Sequence, residues 1–342
     1  MRSTRFLIAA LLLCAVAATA QEQAVNVSKR GTSAAPFLSI QQGARASAMG
    51  GAFVALASDP SALFWNPAGI ARLDGIQVMF DHTLWIADIH YNFLAATFDI
   101  GDIGAVGVSV TASAIDQMNV TTVAEPNGTG QIFEVQDVAA SAAIALNLTD
   151  NFSIGFNPKY ISQSIWEASA STFAFDMGIL YRTPFEGFTL GMSIQNFGPK
   201  MKMDGQSLLV LHDGNLESSG NNGRIPATLE TDEWALPLYF RVGVAWTPVL
   251  GDVHALNIEA DAIVPSDNYQ SVNLGAEYVF NGMFAIRAGY KSLFLDEAEE
   301  SFTLGAGVQH RFVGNLGIKV DYAYQDFGRL ANAQKITVGM TF

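Results

Sequence analysis

The chain has 342 residues, half of them apolar, only 15% charged, and a formal charge of −14. Soluble domains carry about 25% charged residues, so part of this surface is not built for water. The acidic excess repels phosphate backbones and excludes nucleic acid as a partner.

The elements follow in chain order. Arg2 and Arg5 precede the apolar run Phe6 to Ala18, and Ala18-Thr19-Ala20 supplies a small-x-small cleavage site before Gln21. That is the pattern of a secretory signal peptide over residues 1–20. The single cysteine, Cys14, lies inside it, with Leu13 standing where a lipoprotein signal wants a small residue. Cleavage after Ala20 leaves a mature chain with no thiol or disulfide. Beyond residue 20 there is no run of about 18 apolar residues, which excludes membrane-spanning helices. An exported chain of this kind is periplasmic, secreted, or an outer-membrane barrel.

Residues 21–74 do not alternate, and residues 21–35 read as a flexible leader. The stretch Gly43-Ala44-Arg45-Ala46-Ser47-Ala48-Met49-Gly50-Gly51 is rich in small residues and predicts short helices or a compact coil. Asp59 before Pro60 reads as a helix N-cap with proline at the first position. Asn66-Pro67 and Gly69 read as a turn into the first strand.

From residue 75 to 342 the periodicity is two. Leu316, Ile318, Val320, Tyr322 and Tyr324 alternate with Gly317, Lys319, Asp321, Ala323 and Gln325. About fourteen strands follow, each near the ~9–11 residues a tilted membrane strand needs. They run over 75–85, 89–100, 103–114, 134–148, 152–166, 171–182, 188–197, 237–247, 253–264, 269–280, 283–293, 301–312, 315–326 and 333–342, with Pro158 a blemish in the fifth.

A soluble sandwich also alternates, but two features favour the membrane. The polar face carries Arg241, Glu259, Asp261, Glu277, Arg287, Lys291, Lys319 and Asp321, which suits a wet lumen, and Glu259 with Asp261 is expected simply to line water. The apolar face ends in Trp246, Tyr290 and Tyr324, where a barrel places its aromatic girdle. Tight turns such as Gly101-Asp102, Asn281-Gly282 and Val313-Gly314-Asn315 fall on one side. The long connections 115–133 and 198–236 fall on the other, as in barrels with short periplasmic turns and long extracellular loops. The expected fold is an all-β, transmembrane antiparallel β-barrel of about fourteen strands.

The stretch from Gly43 to Gly69, with Arg45, Met49, Gly50, Asp59, Pro60, Asn66 and Pro67 in register, resembles the segment that precedes the barrel in FadL-like outer-membrane proteins. It resembles the PorV/PorQ family more closely. The terminal Phe342 is similar to the aromatic end of outer-membrane barrels, which the insertion machinery reads as an assembly signal. The resemblance implies fourteen strands, an N-terminal segment entering the lumen, and a role with the type IX secretion system. An N-terminal leader and lumenal plug segment over residues 21–74 is sensible, because a barrel of this size is too wide for its own side chains to fill; the alternative is a segment that caps the periplasmic mouth. Arg45 and Asp59 are placed to pair with lumenal charges.

The residues carry no catalytic signature. The five histidines His82, His90, His212, His254 and His310 are scattered without metal-ligand spacing, and there is no G-x-S-x-G elbow or Walker loop. Neither catalytic residues, a metal nor a cofactor is expected. The acidic stretches Glu230–Glu233 and Asp296–Glu300 read as solvated loops. Two functions remain. One is a secretion-associated scaffold or shuttle that binds cargo or translocon components through 115–133 and 198–236. The other is a FadL-like channel for hydrophobic small molecules such as fatty acids. The loop apolars Leu208, Leu209, Val210 and Leu211, which want a partner, motivate it. In both, outer-membrane lipid surrounds the chain.

Overall fold

The computed structural model describes residues 29–214, 224–295, 298–312 and 316–342. The signal-peptide and Cys14 readings, the leader up to residue 28, the Val313–Asn315 turn, and Asp296 with Glu297 lie outside them.

Fourteen barrel strands occur among the described residues. They are β1 Ile76–Leu84, β2 His90–Asp99, β3 Gly104–Ala114, β4 Val135–Thr149, β5 Phe152–Ile165, β6 Ala168–Arg182 and β7 Phe188–Phe197. The second half holds β8 Tyr239–Trp246, β9 His254–Pro265, β10 Ser271–Phe280, β11 Phe284–Leu293, β12 Phe302–Arg311, β13 Gly317–Gln325 and β14 Ala333–Thr341. Each pairs antiparallel with the next, and β1 pairs with β14 from Gln77↔Thr341 to Leu84↔Gln334, so the sheet closes on itself. Closure leaves no strand edge, which a bilayer demands because it supplies no hydrogen bonds to a free one. The expected strands are therefore observed, nearly all within two residues of their predicted ends. The exception is β6, which begins at Ala168 rather than 171: Trp166, at φ 51°, makes the β5–β6 connection a tight turn.

The distribution of polarity is inverted relative to a soluble protein. Outward residues such as Phe80, Leu94, Val108, Phe173, Ile286 and Leu304 are large, apolar and exposed. Inward residues such as Asp81, Asn157, Asp176, Glu259, Asp321 and Lys335 are polar and buried. In water this arrangement would expose an apolar belt around the whole cylinder; in hydrocarbon it is the stable one.

Residues 29–73 occupy the lumen. They start at the end where the long loops lie, where Ala34 N donates to Ala235 O at 2.8 Å, and finish at the opposite end, where Arg72 donates to Asn151 O. Helices α1 Ala44–Ala48 and α2 Ala62–Trp65 and two 3-10 turns, Pro36–Ser39 and Pro67–Arg72, are their regular elements. Two local expectations shift. Ser61, not Asp59, precedes α2, and the Asp59 carboxylate instead accepts from Ser61 N at 3.0 Å. Asn66-Pro67 and Gly69 open a 3-10 helix rather than a simple turn, with Asn66 Oδ1 accepting from Ala68 N at 3.2 Å.

The sheet is irregular at two places beside this segment. The β4–β5 ladder pairs Ser141 with Lys159 and next Ile144 with Phe156, lapsing over Asn157 and Pro158, whose ring nitrogen has no hydrogen to donate. The β6–β7 register shifts between Phe175 and Met177, opposite Asn196 at φ 61°.

Candidate functional site

The lumen wall grips the plug through polar side chains whose length and charge match its backbone. Asp261 Oδ2 accepts the amides of Phe53 and Val54 at 2.9 and 3.2 Å. Two residues earlier on the same face, Glu259 accepts those of Ala55 and Leu56 at 2.5 and 3.1 Å. Four consecutive amides are thus taken up by two carboxylates. The expectation that Glu259 and Asp261 simply line water is corrected: both are buried beneath the plug. Further along the wall, Gln195 Nε2 of β7 donates to the carbonyls of Phe64 and Trp65, and Asn157 Nδ2 of β5 to that of Leu63. A segment without long helices has many unpaired backbone groups, and these wall residues satisfy them where water is excluded.

One group of buried charges is paired. Arg45 forks onto Glu277 with bonds of 2.9 and 2.7 Å, and Glu277 also accepts from Arg287, which reaches Asp321 at 2.8 Å. Lys319 bridges Asp321 and Asp59 at 3.1 and 3.9 Å. Asp59 also meets Arg45 at 3.4 Å, and its Oδ1 accepts from the Ser61 amide and hydroxyl.

The motif residues come together around this interface. Gly43 N donates to Asp81 Oδ2 at 3.1 Å, and Gly50 N to Thr303 Oγ1 at 2.9 Å. Met49 lies in the buried cluster with Phe53, Leu63 and Trp65. Asn66 Nδ2 donates to Val54 O at 2.8 Å and to Ile179 O of β6 at 3.0 Å. Pro60 lies beside Gly43, Arg45 and Asp59 around a small void, while Pro67 and Gly69 are buried in the last 3-10 turn. Phe342 closes the seam at the opposite end from the long loops, exchanging backbone bonds with Ile76.

The inward glycines were not singled out from sequence. A side chain at Gly178 would collide with Asn66 and Pro67, one at Gly191 with the backbone of Val54, and one at Gly289 with that of Met49 and Gly50. Small residues on the plug and glycines on the wall are two halves of one close approach. In the alternation alone, these glycines look merely like small members of the polar face.

At the long-loop end the plug leaves beside it a cavity of about 570 Å³. Phe37, Ile40 and Gln41 of the plug contribute to its lining. Its walls include Trp85, Tyr91, Tyr239, Arg241, Asn273 and Lys291. The size falls within the range typical of small-molecule sites. The loop apolars do not reach it. Leu208 ends a 3-10 turn, and Leu209, Val210 and Leu211 lie exposed on a hairpin that pairs Leu209–His212 with Ile225–Thr228. Among the described residues no cluster of three or more potential metal ligands occurs.

Comparison with known proteins agrees with the architecture. The pattern of the uncharacterised protein family UPF0164 matches residues 12–165. No curated protein matches. Among solved structures, the toluene transporter TbuX of Ralstonia pickettii is similar at 13% identity, with a TM-score of 0.53 over 87% of this chain and 97% of that one. The toluene transporter TodX of Pseudomonas putida is similar at 12% identity, with a TM-score of 0.51 over 87% and 96%. A FadL homologue of Pseudomonas aeruginosa is 16% identical, with a TM-score of 0.49 over 86% and 96%. With its closed fourteen-stranded wall, apolar exterior and N-terminal segment in the lumen, the chain is an outer-membrane β-barrel with the fold of the two toluene transporters.

Proposed function

We propose that this protein is an uptake channel that takes a small organic molecule from the long-loop side, with the plug as its gate. The observation that carries this reading is the 570 Å³ cavity at the mouth, part of whose lining is the plug itself. A ligand seated there touches the segment that must rearrange for anything to pass, so binding and gating share residues. The shared fold with two toluene transporters supports the same reading. The test is reconstitution in proteoliposomes. Solutes small enough for the cavity should enter faster than in protein-free vesicles, and deleting residues 35–73 should raise passage of solutes of all kinds. Vesicles no more permeable than empty ones would overturn the proposal.

A second reading is a scaffold or shuttle for secretion, of the PorV/PorQ type and working with type IX components or their cargo. The Gly43–Gly69 segment supports it, and so does the exposed hairpin carrying Leu209, Leu211 and Ile225. An isolated apolar hairpin above the membrane wants a partner. Affinity capture from native membranes should recover secretion components or cargo, and Leu209→Ser with Leu211→Ser should release them. Capture of neither removes this reading.

A further inference from the structure

We propose that the mouth cavity is a binding site for a small monovalent organic carboxylate, with Arg241 as the group that receives the carboxylate. The inference deepens the uptake reading and rests on it for the ligand's onward passage, though not for its binding.

The reasoning starts from Arg241 itself. It is 3% exposed, yet its Nε and Nη1 have no hydrogen-bond partner. Other buried cations are differently placed. Arg45 and Arg287 fork onto carboxylates, Lys159 meets Asp176 at 2.8 Å, Lys291 meets Glu300 at 2.7 Å, and Lys335 donates to Gln41 O and Thr83 Oγ1. Arg241 is held by rings instead: its Cζ lies 4.8 Å from the centroid of Tyr239, 4.9 Å from Trp65 and 5.9 Å from Phe64. Ring faces stabilise the charge but satisfy none of the N–H donors, which are costly to leave unmade away from water. Asp261 of the adjoining strand, an acid on the same face, spends Oδ2 on the plug amides of Phe53 and Val54, and its buried Oδ1 makes no hydrogen bond to Arg241.

Arg241 lines the cavity, so a ligand there can reach it. Of the cations on the lining, Lys291 meets Glu300 at 2.7 Å, while the charge of Arg241 meets ring faces. A single carboxylate neutralises it, and its two oxygens match the planar fork of a guanidinium. The rest of the lining sets the ligand's body. Tyr91, Tyr239, Tyr269 and Trp85 offer ring faces with polar tips, and Gln41 and Asn273 add hydrogen-bonding groups. That suits a compact ring-bearing acid and is poor for a bare hydrocarbon, which would strip water from these groups and return nothing.

The test is calorimetric titration of the purified protein in detergent with benzoate and with benzamide, its uncharged isostere. Benzoate should bind about tenfold more tightly or better. Arg241→Gln should remove that preference while leaving benzamide unaffected, and Arg241→Lys should restore part of it. Equal affinities, no binding of either probe, or wild-type benzoate affinity in Arg241→Gln would each overturn the assignment. If Arg241→Gln fails to show the gel mobility shift of a folded barrel on heating, the comparison of the two probes on the wild-type chain decides. Proteoliposome entry is scored separately. Benzoate binding without passage keeps the site and removes the uptake reading, whereas passage with no preference for the carboxylate keeps uptake and removes the site.

Discussion

Replacing both Glu259 and Asp261 by alanine should undock the plug while leaving the barrel intact. The two carboxylates hold the amides of four consecutive plug residues, Phe53 to Leu56. A hydrogen bond to a charged group contributes roughly 1.5–3 kcal/mol, against about 1 kcal/mol for a neutral one such as an entering water would provide. The difference is about 1 kcal/mol per bond, or about 4 kcal/mol for the four. Removing two neighbouring buried carboxylates also relieves their repulsion and desolvation, which offsets part of this. The net expectation is about 2–4 kcal/mol, a roughly 30- to 1000-fold shift in the ratio of docked to undocked plug. Planar-bilayer conductance reads that ratio: the variant should show larger and noisier currents than the wild type. Limited proteolysis should cut within residues 45–60, which the wild type protects. Heat-modifiable mobility confirms the barrel in the same sample. Wild-type conductance and wild-type proteolysis from an intact variant barrel would refute the carboxylate clamp.

Three other outcomes follow from the same geometry. Gly178→Val should displace the 66–68 turn and destabilise the folded form in urea titration, whereas Gly317→Ala, whose added carbon meets Thr341 at an ordinary 3.5 Å, should unfold like the wild type. Arg45→Met leaves Glu277 with Arg287 and Asn257 and should cost about 1–3 kcal/mol, read as a lowered unfolding midpoint. Trypsin added to intact cells should cut after exposed Lys29, because the plug begins at the long-loop mouth, while Arg45 and Arg72 stay protected; protection of Lys29 together with them would reverse the assigned orientation.

The wall was legible because a strand's two faces are written in its local order. Phe284, Ile286, Ala288 and Tyr290 point one way and Arg287, Gly289 and Lys291 the other whatever lies across the barrel. Even Pro158, which interrupts the β4–β5 ladder, leaves the β5–β6 pairing intact, so the pattern survives it. The motif from Gly43 to Gly69 was legible as a segment of small residues, but the reason for their smallness was not. It lies in Gly178, Gly191 and Gly289, more than a hundred residues away on the wall. The run Leu208–Leu211 drew attention by composition and sits on an exposed hairpin, while the cavity is built from residues that composition did not mark.

By itself, then, the sequence determined the strand spans, their alternation and the short and long sides of the barrel, because each depends on neighbours along the chain; an N-terminal segment in the lumen was only what the resemblance implied. Tertiary structure alone decided how lumenal charge is used. Arg241 and Arg287 have the same residue type on the same kind of face, yet one is forked between two carboxylates and the other is caged by rings with free donors. That difference depends on which plug atoms arrive opposite each position. Curvature and closure of the sheet set it, and no local period encodes it.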